Sequence, residues 1–293
     1  MKDLTLNSSL DLRNEGKSFY WASFFLPKKY KFNAGTLYSI CRYFDNVADK
    51  DSDDMSLFLK DSINEIKKNK KNAVNIFLTK NKINILIFSD LIEGLIQDQK
   101  KTNIRTEKDL INYSYCVAGT VGLMMSKIIG VTDKNAFSSA IDLGIAMQLT
   151  NIARDVSEDA KMQRIYLPSE LIPNINLEIL TKQTTVNLED ENIILNAVHK
   201  IINLSYQYYI NGFAGLRYIP LKTRLGIFIA ANIYMGIGTK IKKSGNKFLM
   251  QRIYLNSFEK FFITIKSIFI FLIIPLMNYK YSQIRDKLPN ENL

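Results

Sequence analysis

The chain has 293 residues, 47% hydrophobic and 23% charged, with a formal net charge of +11. That length can bury a sizeable core, and the apolar-to-charged balance excludes a disordered chain. With only 13 Gly and 6 Pro and no sustained strand-like alternation, the expected class is all-α, one domain over 1–293.

In chain order, helical periodicity predicts Asn33–Asp49, Met55–Lys68, Ile85–Gln97, Lys108–Ile129, Asn135–Ser157, Glu189–Leu216, Lys222–Lys243 and Phe258–Tyr279. Breaks fall between them. Pro27 precedes the first helix, Lys50–Asp54 is a charged loop, and Gly130 with Asp133 marks a turn. Pro168 and Pro173 follow the fifth helix, and Pro220 separates two late ones. Met1–Leu10 has no apolar core of signal-peptide length. The last helix is greasy, since Ser267–Met277 is almost wholly apolar. Lys266 and Pro275 interrupt it, and the unbroken stretch falls short of the ~20 residues of a membrane span. A packed or membrane-dipping helix is expected there. Cys41 and Cys116 lie in apolar helical patterns and read as buried thiols of a reducing compartment, hence a cytoplasmic location.

The positive charge comes largely from lysine, in clusters at Lys28, Lys29, Lys31, at Lys67, Lys68, Lys70, Lys71 and at Lys240, Lys242, Lys243. It suits a phosphorylated substrate, an anionic membrane touched peripherally, or simply a solvated surface. Scattered lysines without zinc-ligand spacing or an RNA-binding signature argue against nucleic acid. No nucleophile elbow, P-loop or dinucleotide fingerprint is present, and the one histidine, His199, lies in an ordinary amphipathic helix.

Two Asp-x-x-x-Asp pairs carry the chemistry. Tyr38, Arg42, Asp45 and Asp49 form one helical stripe, and Gln148, Asp155 and Asp159 repeat its spacing with Asn151 alongside. Each polar stripe borders an apolar one: Leu37, Cys41, Phe44, Ala48 in the first helix, Ile145, Leu149, Ile152, Val156 in the second. Four carboxylates gathered at one cavity repel each other and raise their own pKa values unless cations intervene. Mg²⁺ (with Mn²⁺ as a substitute) takes hard oxygen ligands and bridges carboxylates to substrate phosphates. Arg42 and Arg154 are placed either for phosphate contacts or for ion pairs with the same aspartates. A cation released by diphosphate departure needs an apolar, aromatic cavity. Tyr38 and Tyr113 are the aromatic candidates, the latter preceding the small-residue run Ala118-Gly119-Thr120-Val121-Gly122.

The stretch from Tyr113 to Pro168, with QLTNIARDV (Gln148–Val156) and RIYLP (Arg164–Pro168), resembles the signature region of the squalene and phytoene synthase family. GKSFYWASFFLP (Gly16–Pro27) and LYSICRYFDNVADK (Leu37–Lys50) resemble that family's first conserved region. The likeness runs from about Gly16 to Lys260 and is nearest the bacterial phytoene synthases. It implies an isoprenoid synthase helical fold around a central apolar cavity. It further implies that Asp45, Asp49, Asn151, Asp155 and Asp159 hold Mg²⁺ and the diphosphates. Lys17, Ser18, Arg42, Gln148 and Arg154 match diphosphate-binding neighbours, Tyr38, Tyr113 and Tyr234 match tyrosines lining the site, and Arg252 and Lys260 match late basic positions. Asn46 departs from the pattern, standing where many members carry a further aspartate.

The activity implied is head-to-head condensation of two geranylgeranyl diphosphates to phytoene, through a cyclopropyl diphosphate. The alternative is a C15 enzyme of the squalene or dehydrosqualene type, with NADPH required only for the squalene quench. A reading of another class is a non-catalytic assembly factor of the same fold. Oligomeric state is not legible.

Overall fold

The computed structural model describes residues 16–50, 53–99, 104–181, 187–273 and 279–291. Among them there is no strand. The helices are α1 (Lys17–Ser23), α2 (Lys28–Ala48), α3 (Asp53–Lys68), α4 (Ala73–Lys80), α5 (Ile85–Gln99), α6 (Glu107–Ser114), α7 (Thr120–Ile128), α8 (Phe137–Arg154), α9 (Val156–Lys161), α10 (Leu177–Leu180), α11 (Leu188–Ala214), α12 (Leu221–Lys243) and α13 (Ser257–Ile273). One hydrophobic cluster runs through them, from Ala22 in α1 to Leu255 before α13.

The helix starts follow local chemistry. Pro27 and Pro220 stand at the N-caps of α2 and α12, where a missing N–H costs nothing. Asn72, Asn176 and Asn187 accept backbone N–H bonds at the starts of α4, α10 and α11, and Thr106 forms a reciprocal capping box with Asp109 at α6. Gly130 turns the chain after α7 at φ 90°, a conformation that favours glycine.

Four expectations are corrected. The helix expected over Lys108–Ile129 contains a π turn, Tyr115–Gly119, between α6 and α7. The one expected over Asn135–Ser157 breaks at Asp155, whose φ of −102° and ψ of 16° leave the helical region, and restarts as α9. The last helix ends at Ile273 among the described residues, and Tyr279 is irregular. Residues 274–278, Pro275 among them, lie outside the described residues, as do 1–10 and residues 51–52 of the expected loop. Both cysteines are free, yet half-buried and not fully enclosed; burial pushes each thiol up to about 12.

α8 is the central helix, packed most extensively on α11 and also on α7, the π turn and α12. The small-residue run explains how close it comes. A Cβ on Gly144 would lie 2.2 Å from the Ala118 carbonyl oxygen, and one on Gly122 would lie 2.2 Å from that of Ala140. Residues 279–291 strap the outer side of α8 and α11. Asn211 exchanges hydrogen bonds with the Ser282 backbone at 2.8 and 3.0 Å. Arg285 joins Asp142 at 2.6 Å and Glu291 at 3.1 Å, all three buried.

Candidate active site

The last turn of α2 carries Asp45, and Asp49 stands at its C-cap. Leu37, Phe44 and Ala48 are fully buried, which turns the flank bearing Tyr38, Arg42, Asp45 and Asp49 toward the interior of the bundle. Arg42 Nη1 bonds Asp45 Oδ2 at 2.5 Å. The second pair sits where α8 gives way to α9. Ile145, Leu149, Ile152 and Val156 are buried, and the Asp159 N–H still bonds the Asp155 carbonyl at 2.8 Å. The pair therefore keeps its spacing although the helix breaks between Gln148 and Asp159. Asp155 is gripped twice. Arg154 reaches it through Nε at 2.7 Å and Nη2 at 2.5 Å, and Arg252 at 2.8 and 3.0 Å.

Three functional neighbours escape sequence reasoning. Asp98, at the end of α5, is 6% exposed. It is drawn to α2 because the next residue, Gln99, donates to the Ala48 carbonyl at 3.3 Å. Gln163, in a left-handed conformation (φ 61°), turns the chain back after α9. Arg164 thus reaches Asp49 at 2.6 Å and Asp98 at 3.6 Å. Tyr166 donates to Asp98 at 2.7 Å and stacks on Tyr113, ring centroids 5.0 Å apart. Arg164 and Tyr166 fall within RIYLP and were within reach of the motif; Asp98 is a single acidic residue at the end of an apolar helix and gives no signal.

These groups line a cavity of about 1090 Å³, just above the ~300–1,000 Å³ usual for ligand sites. Every expected site residue lines it: Lys17, Ser18, Tyr38, Arg42, Asp45, Asp49, Tyr113, Gln148, Asn151, Arg154, Asp155, Asp159, Tyr234, Arg252 and Lys260. His199 does not. Phe19 lies between Tyr38 and Tyr234, with centroids 6.4 and 4.9 Å away. Away from the carboxylates the walls are small or apolar, with Ala118, Gly122, Ala140, Gly144, Gly212 and Gly215 among them. The cavity follows the whole of α8, from Ala136 to Asp155, ~28 Å at the rise of an α-helix.

The crowding of carboxylates shows in their protonation. Burial, then Asp49 and Asp98, push Asp45 up to about 6 despite Arg42. Burial, then Asp155 and Asp98, push Asp159 up to about 8 against Arg154 and Arg164. Burial raises Tyr113 well above the ordinary phenol range, and Lys260 is lowered by burial and by Lys17.

The donor set fits a hard divalent cation. Asn151 Oδ1 is buried with no hydrogen-bond partner, and among the other oxygens those of Asp45 and Asp159 belong to carboxyls raised by burial and by neighbouring carboxylates. Among the described residues no three His, Cys, Asp or Glu side chains converge on one point. Each ion would therefore take few protein ligands, as Mg²⁺ does when waters and phosphate oxygens complete its shell.

The sequence profile of the family described as Squalene/phytoene synthase matches residues 12–259. The chain belongs to the squalene/phytoene synthase family. Within that family it is 30% identical over 260 residues to a phytoene synthase of Thermus thermophilus, covering 85% of this chain and 87% of the relative. It is 36% identical over 171 residues to a phytoene synthase of Pseudescherichia vulneris, covering 58% of this chain and 54% of that one. The matched stretch spans about half the length of this and similar relatives. A crystal structure of a dehydrosqualene synthase in complex with ligand has a TM-score of 0.75 at 25% identity, covering 92% of this chain and 97% of that one. A squalene synthase from Alicyclobacillus acidocaldarius shares the fold, with a TM-score of 0.65 at 20% identity over 82% and 92% of the two chains. The all-α isoprenoid synthase fold implied by the sequence motifs is the fold of this squalene/phytoene synthase family member.

Proposed function

We propose that the protein joins two geranylgeranyl diphosphates head to head to give phytoene, with Mg²⁺ held by Asp45, Asp49, Asn151, Asp155 and Asp159. The observation that carries the proposal is one cavity with both acidic pairs at one end and a long apolar body behind them. Bound there, Mg²⁺ would neutralise charge developing on a departing diphosphate. The chain's own groups do the rest. Arg42, Arg154, Arg252, Lys17 and Lys260 line the same cavity and supply cationic donors to diphosphate oxygens. Tyr38, Phe19, Tyr234 and the Tyr113–Tyr166 stack present aromatic faces to an allylic cation. The apolar body keeps water away from it. One diphosphate leaves, the cation alkylates the double bond of the second substrate, and proton loss closes a cyclopropyl diphosphate. That species ionises in turn, rearranges and loses a proton.

The C20 substrate is supported by the small-residue walls along α8 and by relatives named phytoene synthase that match across 85% of the chain. The C15 reading is supported by the dehydrosqualene synthase structure. Product analysis with Mg²⁺ and either C20 or C15 diphosphate, with and without NADPH, separates them. A C40 hydrocarbon formed without NADPH is expected; a C30 product refutes the C20 assignment. Asp45→Ala or Asp155→Ala should abolish turnover while the protein stays folded. Retained turnover would refute the metal assignment. Mg²⁺-independent behaviour towards a prenyl diphosphate analogue, with no product from either substrate, would instead favour the assembly-factor reading.

A further inference from the structure

The outward stripe of α13 is apolar. Phe258, Phe261, Phe262, Ile265, Phe269 and Leu272 are 38–75% exposed and recur at helical spacing, with Lys266 exposed among them. The other side packs inward through Ile263, Ile268, Ile270 and Phe271, with two polar side chains among them. Thr264 and Ser267 are buried, and Thr264 accepts a hydrogen bond from Trp21 Nε1 of α1 at 3.1 Å. The helix is thus apolar outward as well as inward, and the outward patch is contiguous, unlike the single exposed hydrophobics normal on any protein. The family match ends at residue 259, near the start of this helix.

The stripe leads to a second exposed group. α13 runs antiparallel along α12, with Glu259 paired to Lys240 and Phe271 packed on Phe228. Its C-terminal end therefore points toward the start of α12. There Leu26 packs against Gly226, and Tyr30 and Pro220 both lie within reach of Gly130, so the α1–α2 corner and the α12 start are neighbours. On them Phe24, Phe32 and Leu221 are 59%, 65% and 68% exposed, with Lys28, Lys29 and Lys222 exposed among them. No acidic residue occurs from Lys17 to Phe44 or from Asn192 to Phe258. Glu259, the acidic residue of α13, is spent on Lys240.

We infer that this face docks the protein on an anionic lipid bilayer, with α13 lying in the interfacial plane and Lys28, Lys29, Lys222 and Lys266 meeting the headgroups. Rings and aliphatic side chains interleaved with lysines are the composition of an interfacial surface. Charge decides between occupants. A second copy placed symmetrically on this face would set lysines against lysines, whereas anionic headgroups complement them. The same corner contributes Leu26, Ile219 and Gly226 to the cavity wall, so the cavity's apolar end abuts the docking face.

The test is co-sedimentation of the full chain with phosphatidylcholine vesicles, with and without phosphatidylglycerol, at low and high salt. Binding is expected only with phosphatidylglycerol and weakens with salt. Lys28→Gln/Lys29→Gln/Lys222→Gln should lower affinity about a hundredfold, and Phe261→Ser/Phe269→Ser at least about tenfold. Circular dichroism checks the folding of each, and the lysine variant keeps the test decisive should the phenylalanine variant misfold. Lys67→Gln/Lys68→Gln/Lys70→Gln, in the cluster at the end of α3 and not part of the proposed face, should leave binding unchanged. No binding to phosphatidylglycerol vesicles would overturn the inference, as would equal weakening by the α3-cluster variant. A concentration-dependent dimer abolished by Phe261→Ser/Phe269→Ser would assign the face to a second copy instead.

Discussion

Replacing Asp159 by Asn should stabilise the protein when EDTA is present, and more so the higher the pH. Asp159 shifts from 3.8 to about 8 because burial, Asp155 and Asp98 all disfavour its charge. A carboxyl whose folded pKa exceeds its unfolded value binds its proton more tightly in the native state. Native stability then falls as pH rises from about 4, and the loss is complete above about 8. About four units at about 1.4 kcal/mol each set a ceiling near 6 kcal/mol. The side chain opens onto the cavity, where solvent screens it, so a gain of about 1–3 kcal/mol is expected above pH 8. For a chain of this size that is a rise of about 2–6 °C in Tm. Near pH 5 the gain should shrink to about a quarter, since only about one unit of the shift has then been traversed. Scanning fluorimetry across that range reads the effect directly. A Tm difference independent of pH, or a less stable Asp159→Asn protein at the alkaline end, would refute the reasoning. Mg²⁺ with inorganic diphosphate should reverse the order, favouring the wild type.

Three further expectations concern the frame around the site. Gly144→Ala places a Cβ 2.2 Å from the Ala118 carbonyl, forcing α8 off the π turn, and should cost about 1–3 kcal/mol in urea unfolding. Asp142→Ala strands the buried Arg285 with Glu291 alone and should cost about 3–5 kcal/mol, whereas Asp142→Leu/Arg285→Leu should cost clearly less. Asp98→Ala leaves the Tyr166 hydroxyl without its acceptor and should cost about 1–3 kcal/mol by the same measurement.

The first acidic stripe is legible because α2 runs unbroken from its proline cap through Asp45 to its C-cap at Asp49. The second is legible only in part. Spacings of seven and eleven presume continuous helix, yet the backbone leaves that conformation at Asp155. What survives is the spacing within the pair, kept by the Asp159–Asp155 backbone bond. The π turn has no residue signature, since it is a slip in hydrogen-bond register that nearby packing selects. Asp98 and its bond to Tyr166 span 68 residues of chain, and no local pattern encodes such a meeting. The membrane question is legible as a greasy last helix, but not as a face. Lysines grouped by sequence at Lys67–Lys71 belong to α3 and the turn after it, whereas the ones that flank the aromatic corner come from three separate elements.

The arginines holding the carboxylates have a consequence for how ligands arrive. Asp45, Asp49 and Asp155 are each paired with a guanidinium in this structure. A cation approaching alone must take a carboxylate from its arginine and weaken that guanidinium's pairing. A diphosphate approaching alone that takes an arginine beyond Lys17 and Lys260 leaves a carboxylate exposed to its neighbours. Arriving together, cation and diphosphate give every displaced group a new partner. The ion pairs thereby make the two ligands mutually dependent: each should raise the site's affinity for the other by the same factor, as linkage requires.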